Sequence, residues 1–218
     1  IYLVGGFVVE SGFSSAGRGV TDVLAYDPTL DSWCEVASMA TERYAHGAAA
    51  LGGKLYVMGG DGGTTLDQAE VYDPKADSWQ PLPSMPTPRR CLAAAAVAGK
   101  IYAIGGFDID GDLCNAVEAY DPVSGAWTRV ASLPVARHSH TATVVGGKIY
   151  VLGGFQPDPD EHDALVPTGR VDVYDPAADS WQQMAAMPTA RYFHAAAVLD
   201  GKIYVCLLYT SPSPRDSR

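Results

Sequence analysis

The apolar residues of this chain recur in short runs, each introduced by a lysine and closed by a Gly-Gly pair. The runs are Leu55-Tyr56-Val57-Met58, Ile101-Tyr102-Ala103-Ile104 and Ile149-Tyr150-Val151-Leu152. Short apolar runs of this kind, bounded by turn residues, are typical of strands that are covered on both faces. Around the first run, the pattern of apolar and turn residues predicts four strands, over 44–51, 54–60, 68–73 and 78–82.

These strands belong to a repeating frame. From each tyrosine of the frame, a tryptophan follows after seven residues, an arginine ten residues later and a lysine eleven residues after that. The tyrosines are Tyr26, Tyr72, Tyr120 and Tyr174, and the arginines are Arg43, Arg89, Arg137 and Arg191. Successive repeats are 46, 48 and 54 residues long, and the extra residues all lie between the Gly-Gly pair and the next tyrosine. Periods of this size indicate stacked units that cannot bury their apolar faces alone.

The composition of each strand predicts its place in the unit. The first strand is crowded with small residues, as in Ala93-Ala94-Ala95-Ala96, which suits strands that converge on an axis. The fourth strand is polar and accepts Pro81, which a central strand would not tolerate because proline cannot donate to the ladder. Four-stranded antiparallel sheets arranged around an axis form a β-propeller. We therefore predict an all-β propeller over residues 1–205, with three complete blades and two partial ones.

Both ends depart from the frame. The first unit lacks its innermost strand, and residues 206–218 have no place in the repeat. We interpret that Pro/Ser-rich tail as disordered or as the translated read-through of a sequencing adapter. We expect the chain as written not to close into a ring, unless the first strand of the fifth unit completes the first unit and closes four blades.

Charge and cysteine content narrow the class of partner. The net charge is -10, with 15 Lys and Arg residues that form no basic cluster in the sequence, so we expect no nucleic-acid partner. No apolar stretch approaches the ~18 residues of a membrane span, so we expect no membrane partner. The four cysteines show no Cys-x-x-Cys spacing, which favours free thiols in a reducing compartment. These features predict a cytoplasmic protein.

The candidate site follows from connectivity. In an antiparallel four-stranded blade, the variable loop and the arginine-bearing segment emerge on the same face, and binding sites concentrate on variable loops. The residues directly after the repeat arginines differ from unit to unit, unlike the arginines themselves, which we interpret as structural. We therefore predict partner contacts at the first and second positions after the arginines, namely Tyr44, Arg90, His138, Ser139, Tyr192 and Phe193. Solvated loop residues are the alternative.

Two other sets of residues are candidates for a metal site or for catalysis. His46, His140 and His194 occupy the third position after their arginines and suggest a metal site, but they lie on separate units, so we favour structural histidines. The aspartates of the Tyr-Asp-Pro motif are four equivalent carboxylates around a ring, and we expect each to cap a turn rather than to act as a catalyst. We predict no catalytic residue, no metal and no cofactor.

The combination of Arg-x-x-His, Gly-Lys-Ile-Tyr, Gly-Gly, Tyr-Asp-Pro and Trp, as in residues 137–181, strongly resembles the kelch repeat. The resemblance covers residues 1–205. It implies a propeller, commonly of six blades, in which residues just after the repeat arginine reach toward a central pocket. The repeats of this chain most resemble the kelch domains of BTB-kelch adaptors, which recruit substrates to cullin-type ubiquitin ligases.

The resemblance implies a non-catalytic module for protein-protein binding as the leading function. It leaves open an actin-binding or cytoskeletal protein. It also leaves open an enzyme, either a copper oxidase of the galactose-oxidase type or a sugar mutarotase. A copper oxidase of that type needs two His, two Tyr and a Cys-Tyr crosslink, and no Cys and Tyr obviously converge in the sequence.

Overall fold

The computed structural model describes residues 1–9, 17–161 and 164–206. The predicted tail from residue 207 onward lies outside these ranges. The described residues are all-β and form 21 strands. Within the same ranges, the structure contains no helix that could span a membrane.

The strands follow the repeat frame unit by unit. The first unit holds β1 (Tyr2–Val4), β2 (Phe7–Val9), β3 (Gly17–Gly19), β4 (Val23–Asp27) and β5 (Ser32–Val36). The second holds β6 (Gly47–Leu51), β7 (Lys54–Met58), β8 (Ala69–Asp73) and β9 (Ser78–Leu82), and the third holds β10 (Ala93–Val97), β11 (Lys100–Ile104), β12 (Val117–Asp121) and β13 (Ala126–Val130). The fourth holds β14 (Thr141–Val145), β15 (Lys148–Leu152), β16 (Phe155–Pro157), β17 (Leu165–Pro167), β18 (Val171–Asp175) and β19 (Ser180–Gln183). The fifth holds β20 (Ala195–Leu199) and β21 (Lys202–Cys206).

The sheets confirm the predicted propeller architecture. Blades 2, 3 and 4 are four-stranded antiparallel sheets with the orders β6-β7-β8-β9, β10-β11-β12-β13 and β14-β15-β18-β19. Blade 1 has the order β1-β4-β5, and blade 5 is the pair β20-β21. Two short hairpins, β2-β3 and β16-β17, lie within variable loops. In the described residues β20 pairs with β21 and not with β1, so the four-blade closure, the alternative to an open array, is not formed.

The observed strands are slightly shorter than predicted at some ends. The predicted strand over 44–51 begins at Gly47, because Tyr44 forms an isolated bridge with Asp61 instead of joining the ladder. The predicted strand over 54–60 ends at Met58, where the Gly-Gly pair turns the chain into the variable loop. Strand β21 includes Cys206, which the repeat frame assigned to the tail.

The depth of each strand agrees with its composition. The first strands β6, β10, β14 and β20 pack side by side in succession, as expected for strands that converge on an axis. A Cβ atom placed on Gly47 of β6 would lie 3.0 Å from the Cβ of Ala94 on β10, which explains the small residues. The second and third strands are the most deeply buried, as in β11 and β12, whereas β13 and β19 are mostly exposed.

Neighbouring blades are joined by tryptophan side chains. Trp79 Nε1 donates to the Ala37 carbonyl at 2.7 Å, and Trp181 Nε1 donates to the Ala131 carbonyl at 2.8 Å. The tryptophans are only partly buried, and each ring packs against the tyrosine seven residues earlier. The tyrosines Tyr72, Tyr120 and Tyr174 are almost fully buried. The tryptophan therefore acts mainly as a link from one blade to the one before it.

The aspartates that follow the prolines of the frame by three residues complete this link. Asp77 accepts hydrogen bonds from the Ala37 backbone N–H at 2.9 Å and from the Tyr72 hydroxyl at 2.7 Å. The third blade has Gly125 in place of this aspartate, and its tryptophan donates to the carbonyl of Pro83. Since proline has no N–H to donate, an aspartate at residue 125 would have no backbone partner there.

The aspartate of each Tyr-Asp-Pro motif caps the following turn, as predicted. Asp27, Asp73, Asp121 and Asp175 each accept a hydrogen bond from the backbone N–H two residues later, at 2.8 to 3.0 Å. Three of them also pair with the lysine that opens the second strand of the same blade. These carboxylates are therefore structural.

Candidate functional site: the mouth of the propeller axis

The repeat arginines form the base of the candidate site. Arg43, Arg89 and Arg137 are fully buried. Arg89 Nη1 donates to the carbonyls of Gly105 at 3.2 Å and Ala116 at 2.8 Å, which ties both ends of the variable loop of blade 3 together. Its own carbonyl accepts from Gly60 of blade 2 at 2.8 Å. Each buried arginine thus fixes a variable loop in its own blade and the junction with the blade before it.

The carboxylates that neutralise these arginines were not predicted from the sequence. Arg43 pairs with Glu70 and Arg89 pairs with Glu118, both at 2.7 Å, and all four side chains are buried. Arg137 likewise pairs with buried Asp172. Each acid lies two residues before the frame tyrosine, on an otherwise apolar strand. A charged residue that recurs within a buried strand is the signal that could have revealed these pairs, because a buried charge requires a partner.

The residues after the arginines lie on the variable-loop face. Tyr44 forms an antiparallel bridge with Asp61, Arg90 with Phe107, and His138 with Phe155. These bridge partners directly follow the Gly-Gly pairs and begin the variable loops. The shared face that connectivity predicted is therefore present.

A second contact crosses from blade to blade. The residue after each Gly-Gly pair packs against the post-arginine residue of the next blade. The pairs are Phe7 with Tyr44 at 4.9 Å between ring centroids, Phe107 with His138 at 4.1 Å, Phe155 with Tyr192 at 4.2 Å, and Asp61 with Arg90 at 3.5 Å between Oδ2 and Nη1. Three cross-blade pairs are therefore ring against ring, and one is an ion pair.

The next position forms a belt around the axis, which we call the mouth belt: Ala45, Cys91, Ser139 and Phe193. All four residues have positive φ, between 47° and 54°. Cys91 N–H donates to the Ala45 carbonyl at 2.8 Å, Ser139 to Cys91 at 3.0 Å, and Phe193 to Ser139 at 3.0 Å. Left-handed backbone in residues other than glycine is uncommon and often marks binding sites. Here the belt bonds link four successive blades.

The mouth belt surrounds an open pocket. The pocket has a volume of about 350 Å³. Its lining consists of the four belt residues together with His46, Leu92, His140 and His194. Phe193 is the most exposed of the predicted contact residues, at 59%.

The predicted contact residues differ in access. Tyr44, Arg90 and Tyr192 are partly exposed, and the Arg90 side chain is 36% exposed. His138 and Ser139 are both only 8% exposed, and His138 Nδ1 is bonded to the Ser139 hydroxyl at 2.8 Å. These two residues therefore help to build the rim and present little surface to a partner.

Electrostatics leaves Arg90 as the positively charged group among the residues that directly follow the repeat arginines. Burial lowers the pKa of His138 to about 4, so its imidazole is neutral near pH 7. Burial and the Asp61 carboxylate raise the pKa of the Tyr44 hydroxyl. Burial also raises the pKa of the Cys91 thiol, although Arg90 opposes this change.

The three repeat-equivalent histidines pack between blades. A Cβ placed on Gly105 would lie 2.8 Å from the His140 ring and 2.7 Å from the Arg137 carbonyl, and Gly105 itself has φ +59°, so only glycine fits there. Burial lowers the pKa of His140 to about 3 and that of His46 to about 4. His194 Nε2 is bonded to the Thr141 hydroxyl at 2.9 Å. In the part of the chain that the structure describes, no three His, Cys, Asp or Glu side chains are grouped to hold a metal ion.

Comparison with known proteins agrees with this architecture. The family model of the KLHDC2/KLHL20/DRC7 kelch-repeats domain matches residues 1–207. No curated protein matches the chain significantly. The family model covers nearly the whole chain, and the three complete blades each carry the repeat arginine, the Gly-Gly pair, the Tyr-Asp-Pro motif and the tryptophan. The chain therefore belongs to the kelch-repeat family.

Proposed function

We propose that this chain is a non-catalytic interaction module that binds a segment of a partner protein at the mouth of the propeller. Kelch-repeat domains of this type are in general non-catalytic modules for protein interaction, and the family membership suggests that class here. The observation that carries the proposal is the mouth itself. A fixed belt of backbone hydrogen bonds holds side chains that differ from blade to blade around an open pocket.

The chemistry of the rim supports a peptide with an anionic group. Arg90 is partly exposed and lies near neutral rings, and a guanidinium can bind a carboxylate or phosphate through two parallel hydrogen bonds. Phe193 and Tyr192 supply exposed aromatic surface, which is typical of interface anchors. We propose that Tyr44, Arg90, Tyr192 and Phe193 contact the partner directly, and that His138 and Ser139 hold the rim in place.

We further propose a cytoplasmic role as a substrate receptor of a cullin-type ubiquitin ligase, with the propeller over residues 1–205 holding the substrate. Contact with the ligase would require a domain outside these 218 residues. The net charge of -10 supports a protein partner rather than nucleic acid. The alternatives of a copper oxidase, a sugar mutarotase and an actin-binding protein have no observation in their favour among the described residues.

A displayed peptide library tests this function. The wild-type chain is expected to enrich a family of peptides that share an anionic residue. Arg90→Ala and Phe193→Ala should each reduce that enrichment at least tenfold, since central anchors typically contribute about 2 kcal/mol or more. Arg129→Ala, which removes an exposed arginine on outer strand β13, should leave it unchanged. Equal enrichment by Arg90→Ala, Phe193→Ala and wild type would contradict the proposed function.

A further inference from the structure

Asp61 and Arg90 form an ion pair at a cross-blade position where the other described units have two aromatic rings. At the same cross-blade position, the other described pairs place Phe7 against Tyr44, Phe107 against His138 and Phe155 against Tyr192. Asp61 therefore occupies the position at which the other units have phenylalanine. It faces Arg90, and of the four residues that directly follow a repeat arginine, only Arg90 is itself an arginine.

This ion pair is built differently from the buried ones. Arg90 Nη1 lies 3.5 Å from Asp61 Oδ2, and the side chains are 36% and 13% exposed. In contrast, Arg89 and Glu118 are 2.7 Å apart and are 0% and 1% exposed. This contact is long and the Arg90 side chain is partly exposed, although Asp61 is nearly buried, so the pair is weaker than the short buried pairs and Arg90 can take a further partner. A short contact between buried groups is not readily exchanged, because separation would leave an unpaired charge in the interior.

Both members keep other contacts when the pair separates. Asp61 Oδ1 accepts a hydrogen bond from the Gly63 N–H at 2.9 Å. Arg90 Nη1 donates to the Thr65 hydroxyl at 3.1 Å, and the guanidinium carbon lies 5.9 Å from the Phe107 ring centroid. Within the described residues, the polar contacts of this guanidinium all use Nη1. The edge formed by Nε and Nη2 is therefore left for two parallel hydrogen bonds to an external anion.

We propose that Asp61 is an electrostatic competitor for Arg90: its carboxylate contacts Nη1, leaves the Nε–Nη2 edge open, and by its charge limits how tightly the mouth binds an anionic group of a partner. The inference rests on the proposed function, which makes Arg90 the anion contact. An incoming carboxylate or phosphate meets a like charge on Asp61, and the repulsion weakens binding until that charge is removed. Asp61 is thus a specificity-determining residue that selects partners with a strong anionic contact.

The test uses inorganic phosphate as the probe. It follows the Arg90 Nε–Hε signal of the 218-residue chain by ¹⁵N NMR, with the signal assigned by its absence in Arg90→Ala. Asp61→Asn keeps the shape and removes the charge, and it should lower the apparent Kd for phosphate about fivefold. Asp73→Asn makes the same change of net charge in a Tyr-Asp-Pro turn, on the opposite face, and should leave the Kd unchanged. Acetate, titrated in parallel, shows whether the gain applies to carboxylates as well.

The outcomes separate the two proposals. A tighter Kd in Asp61→Asn supports the competitor when the backbone amide signals of the mouth belt, which remain visible without the Arg90 side chain, no longer respond to phosphate in Asp61→Asn/Arg90→Ala. An unchanged Kd overturns it, and a weaker Kd overturns it in favour of a positioning role for Asp61. The library test of the proposed function can fail while phosphate still responds to Asp61→Asn, because the probe reports only the charge balance at Arg90.

Discussion

Asp179 accepts a hydrogen bond from the backbone N–H of Ala131 at 2.8 Å, across the boundary between blades 4 and 3. The same carboxylate accepts a hydrogen bond from the Tyr174 hydroxyl at 2.7 Å, and Trp181 Nε1 donates to the Ala131 carbonyl. One backbone residue of the preceding blade therefore has both its polar groups bonded by the next blade. This arrangement joins separate sheets into one array.

Replacing Asp179 with alanine should loosen that junction. The change leaves the Tyr174 hydroxyl and the Ala131 N–H without their acceptor, and the melting temperature should fall by about 2 to 4 °C. Scanning calorimetry measures the change. Asp110→Ala removes an exposed aspartate from a loop and serves as the control, with no expected shift. Equal melting temperatures for Asp179→Ala and wild type would show that the link adds no stability.

Trp127 tests the tryptophan of the same link. Its ring is only half-buried, lies 5.2 Å from the Tyr120 ring and donates to the Pro83 carbonyl at 2.8 Å. Trp127→Ala should therefore cost about 2 to 3 kcal/mol of unfolding free energy, less than the ~3 to 5 kcal/mol typical of a fully buried tryptophan. Urea denaturation measures this cost. Trp33→Ala, at a ring that is 50% exposed, should cost clearly less, and a larger cost at Trp33 would contradict the assigned link.

Arg89 and Glu118 should behave as a single buried unit. Arg89→Ala removes the counter-ion of buried Glu118, which retains the Thr87 hydroxyl, and also the hydrogen bonds from Arg89 to two backbone carbonyls, so it should cost about 3 to 5 kcal/mol. A double-mutant cycle with Glu118→Ala checks this expectation by denaturation. The double variant should be less destabilised than the sum of the single variants. Strict additivity would show that the pair does not interact in the folded state.

The repeat frame was enough to predict the fold. Residues such as Trp79 and Lys100 recur at fixed spacing because every blade needs the same strands, turns and links. Local patterns also identified the turn-capping aspartates. These features depend on neighbours within one unit or on what all units share, and a single sequence displays both.

The contacts between blades could not be predicted from the sequence in the same way. Asp61 and Arg90 lie far apart along the chain, and each merely departs from its repeat-equivalent residues in the sequence. That they face each other depends on how one blade stacks against the next. Likewise, His138 is buried because it lies between the rings of Phe107 and Phe155. That position depends on blade packing and could not be predicted from the sequence.

Mild acid should destabilise the protein through its buried histidines. The folded-state pKa values of His140 and His46 are about 3 and about 4, below the ordinary value of 6.5. The unfolded chain therefore binds more protons, and stability falls as the pH drops from about 6.5 toward 4. His140→Leu should reduce this loss, because leucine cannot titrate. Leu92 already occupies the equivalent position in blade 3.

Denaturation midpoints of wild type and His140→Leu between pH 7 and pH 4 check this prediction. The two proteins should diverge as the pH falls, with the variant losing less stability. Parallel curves over the whole range would mean that His140 is not held neutral by the fold.

We propose that the variable-loop face, around the mouth belt, is the surface that binds the partner. The most direct measurement is NMR chemical-shift mapping of the chain with a peptide selected from the displayed library. We predict that the largest changes fall on Arg90, Tyr192, Phe193 and the mouth belt, and are lost in Arg90→Ala. Changes centred instead on the opposite face, at Gly52, Gly53 and the Tyr-Asp-Pro turns, would contradict the account.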